Sequence, residues 1–194
     1  DIIGITGKTG VGKSTFVNLL SGLLQPTNGS IFIDNQELKK RNVSKWQNNI
    51  SYIPQNIYLM DSTICQNIAF GEDVVNVNTS KIQDCIKLSS LDYDLKKYNL
   101  NINSRVGERG VKLSGGQIQR IGLARAFYQE REILILDEAT NALDLNTERE
   151  IYNNLNSLKN IKVIFIITHN SSSLKICNKV LDFQTLGKIN IKIN

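Results

Sequence analysis

The sequence has few of the residues from which fibres, low-complexity arrays and membrane spans are built. Its 194 residues include only 2 prolines and 13 glycines, which excludes collagen-like repeats and Gly/Pro-rich arrays. The longest apolar runs are short ones, such as residues 133–136 and 163–167. A helix that crosses a bilayer needs about 20 apolar residues, so the printed residues predict no membrane span.

Cysteine is also scarce, and its placement excludes two further kinds of site. Cys65, Cys85 and Cys177 are an odd number and form no CxxC pair. This predicts a reduced, intracellular protein without a disulfide framework or a zinc site. The sequence opens at Asp1 inside a strand pattern, without Met or the features of a signal peptide. We therefore expect the numbering to begin partway along a longer polypeptide.

Charge of one sign is not concentrated anywhere along the chain. The net charge of +5 comes from 23 basic and 18 acidic residues, a balance that suits nucleic acid, anionic lipid or an anionic ligand. The one dense basic run, at residues 39–41, lies between polar residues, and no basic helix stripe is present. A solvated surface of mixed sign is the preferred interpretation, and no nucleic-acid partner is expected.

What the chain does contain is an alternation of short apolar runs with segments of helical length. Hydrophobic residues make up 41% of the chain, enough for one packed domain over residues 1–194. The predicted strands cover residues 2–5, 30–33, 50–53, 133–136 and 162–167, and the predicted helices cover residues 13–24, 80–88, 116–129 and 146–158. This order predicts an α/β fold with a parallel-sheet core, residues 1–55 and 130–194, and an inserted helical subdomain, residues 56–129.

A phosphate-binding sequence lies between the first predicted strand and helix. The motif GxxxxGK[ST] is matched by Gly7, Lys8, Thr9, Gly10, Val11, Gly12, Lys13 and Ser14, and Thr15 follows it. In this setting backbone N–H groups surround phosphate oxygens, Lys13 neutralises the β and γ phosphates, and the Ser14 hydroxyl binds Mg²⁺. A chance glycine-rich turn is the alternative, which the strand–turn–helix setting disfavours. By itself the motif predicts only binding of a nucleoside triphosphate.

Two acids and one histidine follow later predicted strands. Asp137 and Glu138 come directly after the apolar run 133–136. Asp137 can hold a metal ion through water and Glu138 can polarise an attacking water; the weaker alternative is that they cap the next turn. His169 is the only histidine and follows the strand pattern at 162–167. A structural hydrogen-bonding role is the alternative for it, but open α/β sheets place ligands at the carboxyl ends of their strands.

Residues 113–117, Leu-Ser-Gly-Gly-Gln, resemble the signature motif of ATP-binding-cassette (ABC) ATPases. The family's other motifs follow in its own order: Gln55 resembles the Q-loop glutamine, residues 133–138 the Walker B strand, residues 141–144 the D-loop, and His169 the switch histidine. The ordered set extends over nearly the whole chain. The resemblance implies a RecA-like P-loop NTPase fold with a small antiparallel β portion.

The resemblance also implies a mechanism in which two cassettes pack head to tail around ATP and Mg²⁺. Each ATP then lies between one P-loop and the other subunit's Ser114, Gly115, Gly116, Gln117 and Asp144. Glu138 is implied as the general base, His169 as a contact of the γ-phosphate, and Gln55 as a sensor of metal and water. Ser14, Gln55 and Asp137 are the implied metal ligands. Ser114 and the amides that follow it open a helix, whose positive dipole end suits a phosphate.

Two segments resemble the exporter-type cassettes of the family. Residues 63–71 are similar to the stretch after the Q-loop of exporters, and residues 106–110 to their X-loop, with Arg105 where exporters often have an acid. Residues 57–60 fit a groove for a membrane-domain helix and ordinary core equally well. The family's adenine-stacking aromatic is expected upstream of residue 1.

The resemblance therefore predicts an ATPase that powers an ABC exporter at the cytoplasmic face of the inner membrane. The expected partners are a second cassette, identical or different, and a transmembrane domain upstream on the same polypeptide. The first alternative is a soluble ABC ATPase acting on nucleic acid in DNA repair or translation. It is disfavoured because the chain has no coiled-coil or zinc-binding insertion. A cassette that binds ATP without hydrolysing it, and a small-molecule kinase, are disfavoured by the intact Glu138 and the signature.

Overall fold

A computed structural model describes residues 1–155, 157–158, 160–185 and 188–193. Contacts within the chain divide it into two compact units. The sheet unit comprises Asp1–Tyr52, Arg131–Leu136 and Lys162–Asn194, and the helical unit comprises Ile53–Glu130 and Asp137–Ile161. Each unit is described by itself. The boundaries predicted at residues 56 and 129 stay a prediction.

The strands and helices alternate over most of the described chain. The strands are β1 (Ile2–Gly7), β2 (Phe32–Ile33), β3 (Gln36–Glu37), β4 (Ile50–Ile53), β5 (Ile133–Asp137), β6 (Val163–Ile167), β7 (Lys179–Thr185) and β8 (Lys188–Ile193). The helices are α1 (Lys13–Leu20), α2 (Val43–Gln47), α3 (Ile64–Ile68), α4 (Thr79–Leu88), α5 (Leu91–Lys97), α6 (Gly115–Gln129), α7 (Leu145–Leu155) and α8 (Ser171–Leu174). Single 3-10 turns lie at Val74–Asn76 and Glu108–Gly110.

A mixed sheet of strand order β4-β5-β6-β1-β7-β8 confirms the predicted α/β fold. β1 pairs in parallel with both β6 and β7, and β8 pairs antiparallel with β7. β2 and β3 form a separate antiparallel hairpin. The non-consecutive order requires helical crossovers between parallel neighbours, which is the reason strand and helix patterns alternate in the sequence.

The core of the sheet unit forms where α1 covers the sheet. Ile5, Val17, Ile135, Ile167 and Phe183 are buried together there. The rings of Phe16 and Phe183 meet edge to face with their centroids 5.5 Å apart. The four strand residues and Val17 of α1 come from distant parts of the sequence, so this cluster fixes the helix that follows the phosphate-binding loop against β1.

The helical unit is built around α6, which packs against α3, α4 and α5. Ile121, Leu123 and Phe127 of α6 are buried, as are Ile82 and Ile86 of α4. Ile82 and Ile86 lie one turn apart and give α4 an apolar stripe, whereas α6 is buried on all sides through residues 121–124. No helix in the part of the chain that the structure describes is both long and apolar enough to cross a membrane.

Three of the predicted element boundaries are wrong, each for a local reason. α1 ends at Leu20 rather than residue 24, because Gly22 has a left-handed φ of 68° and the Ser21 hydroxyl donates back to the Val17 carbonyl. β2 is confined to Phe32–Ile33 of the predicted 30–33. α7 ends at Leu155 rather than residue 158, since the Ser157 N–H turns back to the Asn154 carbonyl instead of continuing the helical pattern.

The sequence fits residues 57–60 equally well to a groove for a membrane-domain helix and to ordinary core. In the structure the segment is partly buried and partly exposed. Leu59 is fully buried, whereas Tyr58 is 64% exposed. Ile57 packs over the backbone of Gly122 on α6. Alternate residues of the segment therefore belong to the core of the helical unit, and Tyr58 alone faces solvent with most of its ring.

Candidate nucleotide-binding site

The phosphate-binding loop joins the end of β1 to the start of α1. Gly7 ends the strand with φ of 140°, and a Cβ there would stand 2.5 Å from the Phe183 carbonyl oxygen, so no other residue fits. Gly12 is the N-cap residue with φ of 105° and brings no capping side chain. The first N–H groups of α1 have no helical acceptor, and they are left available to an anion.

The Lys13 side chain folds back over this loop. Its Nζ donates to the carbonyl oxygens of Gly7 at 2.7 Å and Lys8 at 3.0 Å, and the residue is only 8% exposed. The cation is therefore held among the loop's own backbone groups. Together with the exposed amides of α1 it gives the loop a positive electrostatic potential that suits phosphate.

His169 lies beyond the carboxyl end of β6, in the same sheet unit as the loop. Ile5 of β1 is in register with Ile167 of β6, so Gly7 and His169 each follow a paired residue by two positions. His169 is exposed, whereas Thr168 before it is buried. The imidazole is thus at the sheet edge where the loop begins, as predicted, rather than in the core.

In the helical unit, the Glu138 carboxylate is held by two amide side chains. Gln55 Nε2 donates to Glu138 Oε2 at 2.7 Å, and Asn141 Nδ2 donates to the same oxygen at 2.8 Å. Glu138 itself has a left-handed φ of 51°, an uncommon backbone conformation for a residue with a side chain. The sequence predicted Gln55 and Glu138 separately, and the structure brings them into direct contact.

Asp144 caps α7, the helix that follows the turn after Glu138. Asp144 Oδ1 accepts from the backbone N–H groups of Asn146 and Thr147, each at 3.1 Å. The Thr147 hydroxyl, the largest cause, and these N–H groups lower the pKa of the exposed Asp144 carboxyl. Asp144 thus caps α7, while the alternative for Asp137 and Glu138, that they cap the turn after them, stays a prediction.

The Ser114 motif begins α6 with a reciprocal cap. Ser114 Oγ accepts from the Gln117 N–H at 3.3 Å, and Gln117 Oε1 accepts from the Ser114 N–H at 2.8 Å. Ser114 and Gly115 are exposed, while Gln117 is buried. The side chain of Gln117 is thus used within the helix, and Ser114 with Gly115 forms the accessible end.

Polar residues that the sequence did not single out tie these segments together inside the helical unit. Gln119 Oε1 accepts from the Ala142 N–H at 2.9 Å. Arg125 donates to the carbonyl oxygens of Asn67 at 2.8 Å and Tyr58 at 3.1 Å. Arg125 also donates to the side-chain Oδ1 of Asn67 at 3.2 Å, but the other partners are backbone groups, which any residue supplies, so sequence patterns contain little signal for these pairs.

Known proteins resemble this chain in sequence and in structure. The family model for ABC transporters matches residues 1–141. An ATP-dependent lipid A-core flippase of Wigglesworthia glossinidia brevipalpis is 37% identical over 187 residues, 96% of this chain and 32% of the relative. A Rickettsia typhi protein that bears the name of an export ATP-binding/permease protein is 36% identical over 179 residues, 92% of this chain and 31% of the relative. The chain thus spans about a third of these curated relatives.

Among solved structures, a bacterial Atm1-family ABC exporter with ATP bound superposes with a TM-score of 0.88 at 29% identity. The similarity covers 97% of this chain and 33% of the exporter chain. The likeness therefore includes both units of the present chain and not only its phosphate-binding loop.

Proposed function

The chain belongs to the ABC transporter family, and from that membership we propose that it is the ATP-binding and ATP-hydrolysing part of an ABC exporter. The observation that supports hydrolysis most directly is the Glu138 carboxylate held by Gln55 and Asn141. A carboxylate with one oxygen so fixed presents the remaining lone pairs in a defined direction, as a general base requires.

ATP binding is proposed to begin at the phosphate-binding loop. The residues assigned to nucleotide binding are, in chain order, Gly7, Lys8, Thr9, Gly10, Val11, Gly12, Lys13, Ser14 and Thr15. Lys13 exchanges its bonds with two carbonyl oxygens for charge-assisted bonds with phosphate oxygens, which are roughly twice as strong as bonds between neutral groups. His169, at the same sheet edge, contacts the γ-phosphate.

The metal ion proposed for the bound ATP is Mg²⁺. No cluster of three or more acidic, His or Cys side chains that could hold a metal is present among the described residues. Mg²⁺ needs no such cluster, since it is bound by one or two protein oxygens together with phosphates and water. Ser14, Gln55 and Asp137 would hold it, and when bound it neutralises charge on the transferred phosphate.

A second cassette is proposed to complete the site. The exposed Ser114 and Gly115 at the start of α6 offer a hydroxyl, N–H groups and the positive end of a helix of 15 residues. A triphosphate on another copy provides the negative charge that suits them. Gly116, Gln117 and Asp144 are assigned to the same contact.

The whole protein is proposed to include a transmembrane partner on the same polypeptide and to work at the cytoplasmic face of the inner membrane. The support is that relatives three times as long are a lipid A-core flippase and an export ATP-binding/permease protein. Both names describe movement of a substrate across a membrane. No observation favours the nucleic-acid alternative.

Replacement of the proposed base tests this function. Glu138→Gln keeps the size of the side chain but removes its basicity, so we expect the ATPase rate to fall by about a hundredfold or more. The dissociation constant for ATP should stay within about threefold, because the carboxylate is not assigned to ATP binding.

Glu150→Gln is the matched control, since Glu150 is an exposed acid on α7 of the same unit. It should keep the wild-type rate. A Glu138→Gln protein with full turnover would overturn the role of Glu138, and a wild-type protein that neither binds nor hydrolyses ATP would overturn the function itself.

A further inference from the structure

We infer that Gln119 is a positioning residue that fixes the turn at Asn141–Asp144 to the start of α6, so that both segments meet a second cassette as one piece. The inference rests on the proposed function, because it concerns how that second contact is organised. The Gln119 side chain is not itself assigned to ATP.

The backbone of Ala142 is held by α6 on both sides. Its N–H donates to Gln119 Oε1 at 2.9 Å. Its carbonyl oxygen lies over Gly116, where a Cβ would stand only 3.2 Å away. Gln119 is buried, and its position one turn below Gly116 on the helix lets its amide reach the turn from beneath.

The held turn is also bonded to the proposed base. Asn141, the residue before Ala142, donates through Nδ2 to Glu138 Oε2 at 2.8 Å. The chain of contacts Glu138–Asn141–Ala142–Gln119 therefore runs from the carboxylate to the helix that begins at Ser114. All of it lies within the helical unit.

Loss of the hydrogen bond between Gln119 and the Ala142 N–H should affect more than the stability of the fold. Without the Gln119 acceptor, the Ala142 N–H must find water, and the turn is free to leave α6. The exposed end at Ser114 and the Asp144 side chain then no longer have a fixed spacing. Two groups that must meet one partner at once bind more weakly when their spacing varies, since their ordering cost is added to binding.

The test compares three variants in the polypeptide that carries this chain, each in the Glu138→Gln background that retains ATP. Gln119→Met keeps the length of the side chain and removes the acceptor. Gln119→Glu keeps an acceptor oxygen for the Ala142 N–H. Gln129→Met makes the same exchange as the first at an exposed position of the same helix.

Two measurements separate positioning from general damage. The dissociation constant for ATP is measured at protein concentrations where dimers do not form, and the dissociation constant of the ATP-loaded dimer by sedimentation. We expect Gln119→Met to leave the first within about twofold and to raise the second about tenfold, the effect of losing one hydrogen bond to a backbone group. Gln119→Glu should restore the dimer, and Gln129→Met should not change it.

The inference is overturned if Gln119→Met dimerises as tightly as its parent, or if Gln119→Glu is as weak as Gln119→Met. It is also overturned if ATP binding to the monomer and dimerisation weaken together, because that pattern describes a loss of folded protein. A parent that binds ATP but forms no dimer would instead contradict the two-cassette proposal, and the inference with it.

Discussion

At the scale of single residues, the proposed chemistry depends on charged side chains that hydrogen bonds already hold in place. The Glu138 carboxylate accepts from Gln55 and Asn141 on one oxygen, and the Lys13 ammonium donates to two backbone carbonyls. These bonds fix where each charged group lies before a ligand binds. Such preorganised groups act without the cost of ordering solvent at the moment of reaction.

Removal of the Lys13 cation should weaken ATP binding. We expect Lys13→Ala to raise the dissociation constant by roughly ten- to a hundredfold, since a charged hydrogen bond is worth about 1.5–3 kcal/mol. Titration with a fluorescent ATP analogue measures it. Lys175→Ala, which removes an exposed lysine of the same sheet unit, is the control. An unchanged constant for Lys13→Ala would show that the loop binds phosphate without it.

The buried thiols should make the fold sensitive to alkali. Burial raises the pKa of Cys85 and of Cys177 from 9.0 to about 11. Between pH 9 and 11 the unfolded chain loses these protons and the folded chain keeps them, so the free energy of unfolding falls as the pH rises. The loss is about 1–2 kcal/mol for each thiol.

Urea unfolding at pH 8 and pH 10.5 measures this loss. Cys85→Ala should show a smaller difference between the two pH values than the wild type, while Cys65→Ala, at a half-buried position, should change it less. Equal pH differences in all three proteins would contradict the assignment to Cys85.

Which site residues the sequence can predict depends on where their partners come from. Lys13 and Ser114 belong to compact motifs in which their side chains bond backbone groups a few residues away, so the motif contains the whole local geometry. Gln119 bonds Ala142, 23 positions along the chain, through a backbone N–H. Only the folded packing of α6 against the turn reveals that contact.

At the scale of elements, polar contacts hold α6 in addition to its buried apolar residues. Arg120 pairs with Asp94 of α5, with NH2 2.5 Å from Oδ2, and both side chains are largely buried. Arg125 reaches α3 and the segment before it, and its guanidinium lies 5.1 Å from the ring centre of Phe70. Desolvation at this site lowers the pKa of Arg125.

Loss of the Arg125 guanidinium, which donates to both Asn67 and Tyr58, should loosen α3 from α6. Arg125→Met keeps an apolar stem but leaves the Asn67 and Tyr58 carbonyl oxygens without this donor. We expect a loss of about 1–3 kcal/mol in the free energy of unfolding, from the penalty for leaving the buried Asn67 carbonyl oxygen unsatisfied. Chemical denaturation measures the change, and Arg149→Met, on the exposed side of α7, is the control. A loss equal to that of the control would mean that water replaces the guanidinium.

Most elements that the sequence predicts are present, but β3, β7, β8, α2 and α8 were not predicted, and neither were the ends of several predicted elements. Apolar runs for β1, β5 and β6 are visible in the sequence because strands at the centre of the sheet are covered on both faces, whereas β4 is at the edge and its residues alternate between half-buried and buried. The end of α1 depends on Gly22 and on the Ser21 hydroxyl bonding back to Val17. A hydrophobic period extends through such a stop, so periodicity alone overestimates the helix by about a turn.

At the scale of the whole molecule, the residues proposed to bind one ATP come from two copies of the chain. The phosphate-binding loop and the Glu138 group are assigned to the chain's own ATP, and Ser114 with Asp144 to the ATP of another copy. An isolated chain is then an incomplete enzyme. Its activity must depend on how often two copies meet, which makes protein concentration a variable of the mechanism.

ATPase activity should therefore rise more steeply than protein concentration. Below the dissociation constant of the dimer we expect the rate to grow with roughly the square of the concentration, by mass action. Ser114→Asp should remain slow at every concentration, because aspartate still caps α6 but places a negative charge against the partner's triphosphate. Asn78→Asp adds the same charge at the cap of α4, away from the proposed contact, and should behave as the wild type. A rate strictly proportional to concentration throughout a dilution series of monomer would mean that one chain hydrolyses ATP alone.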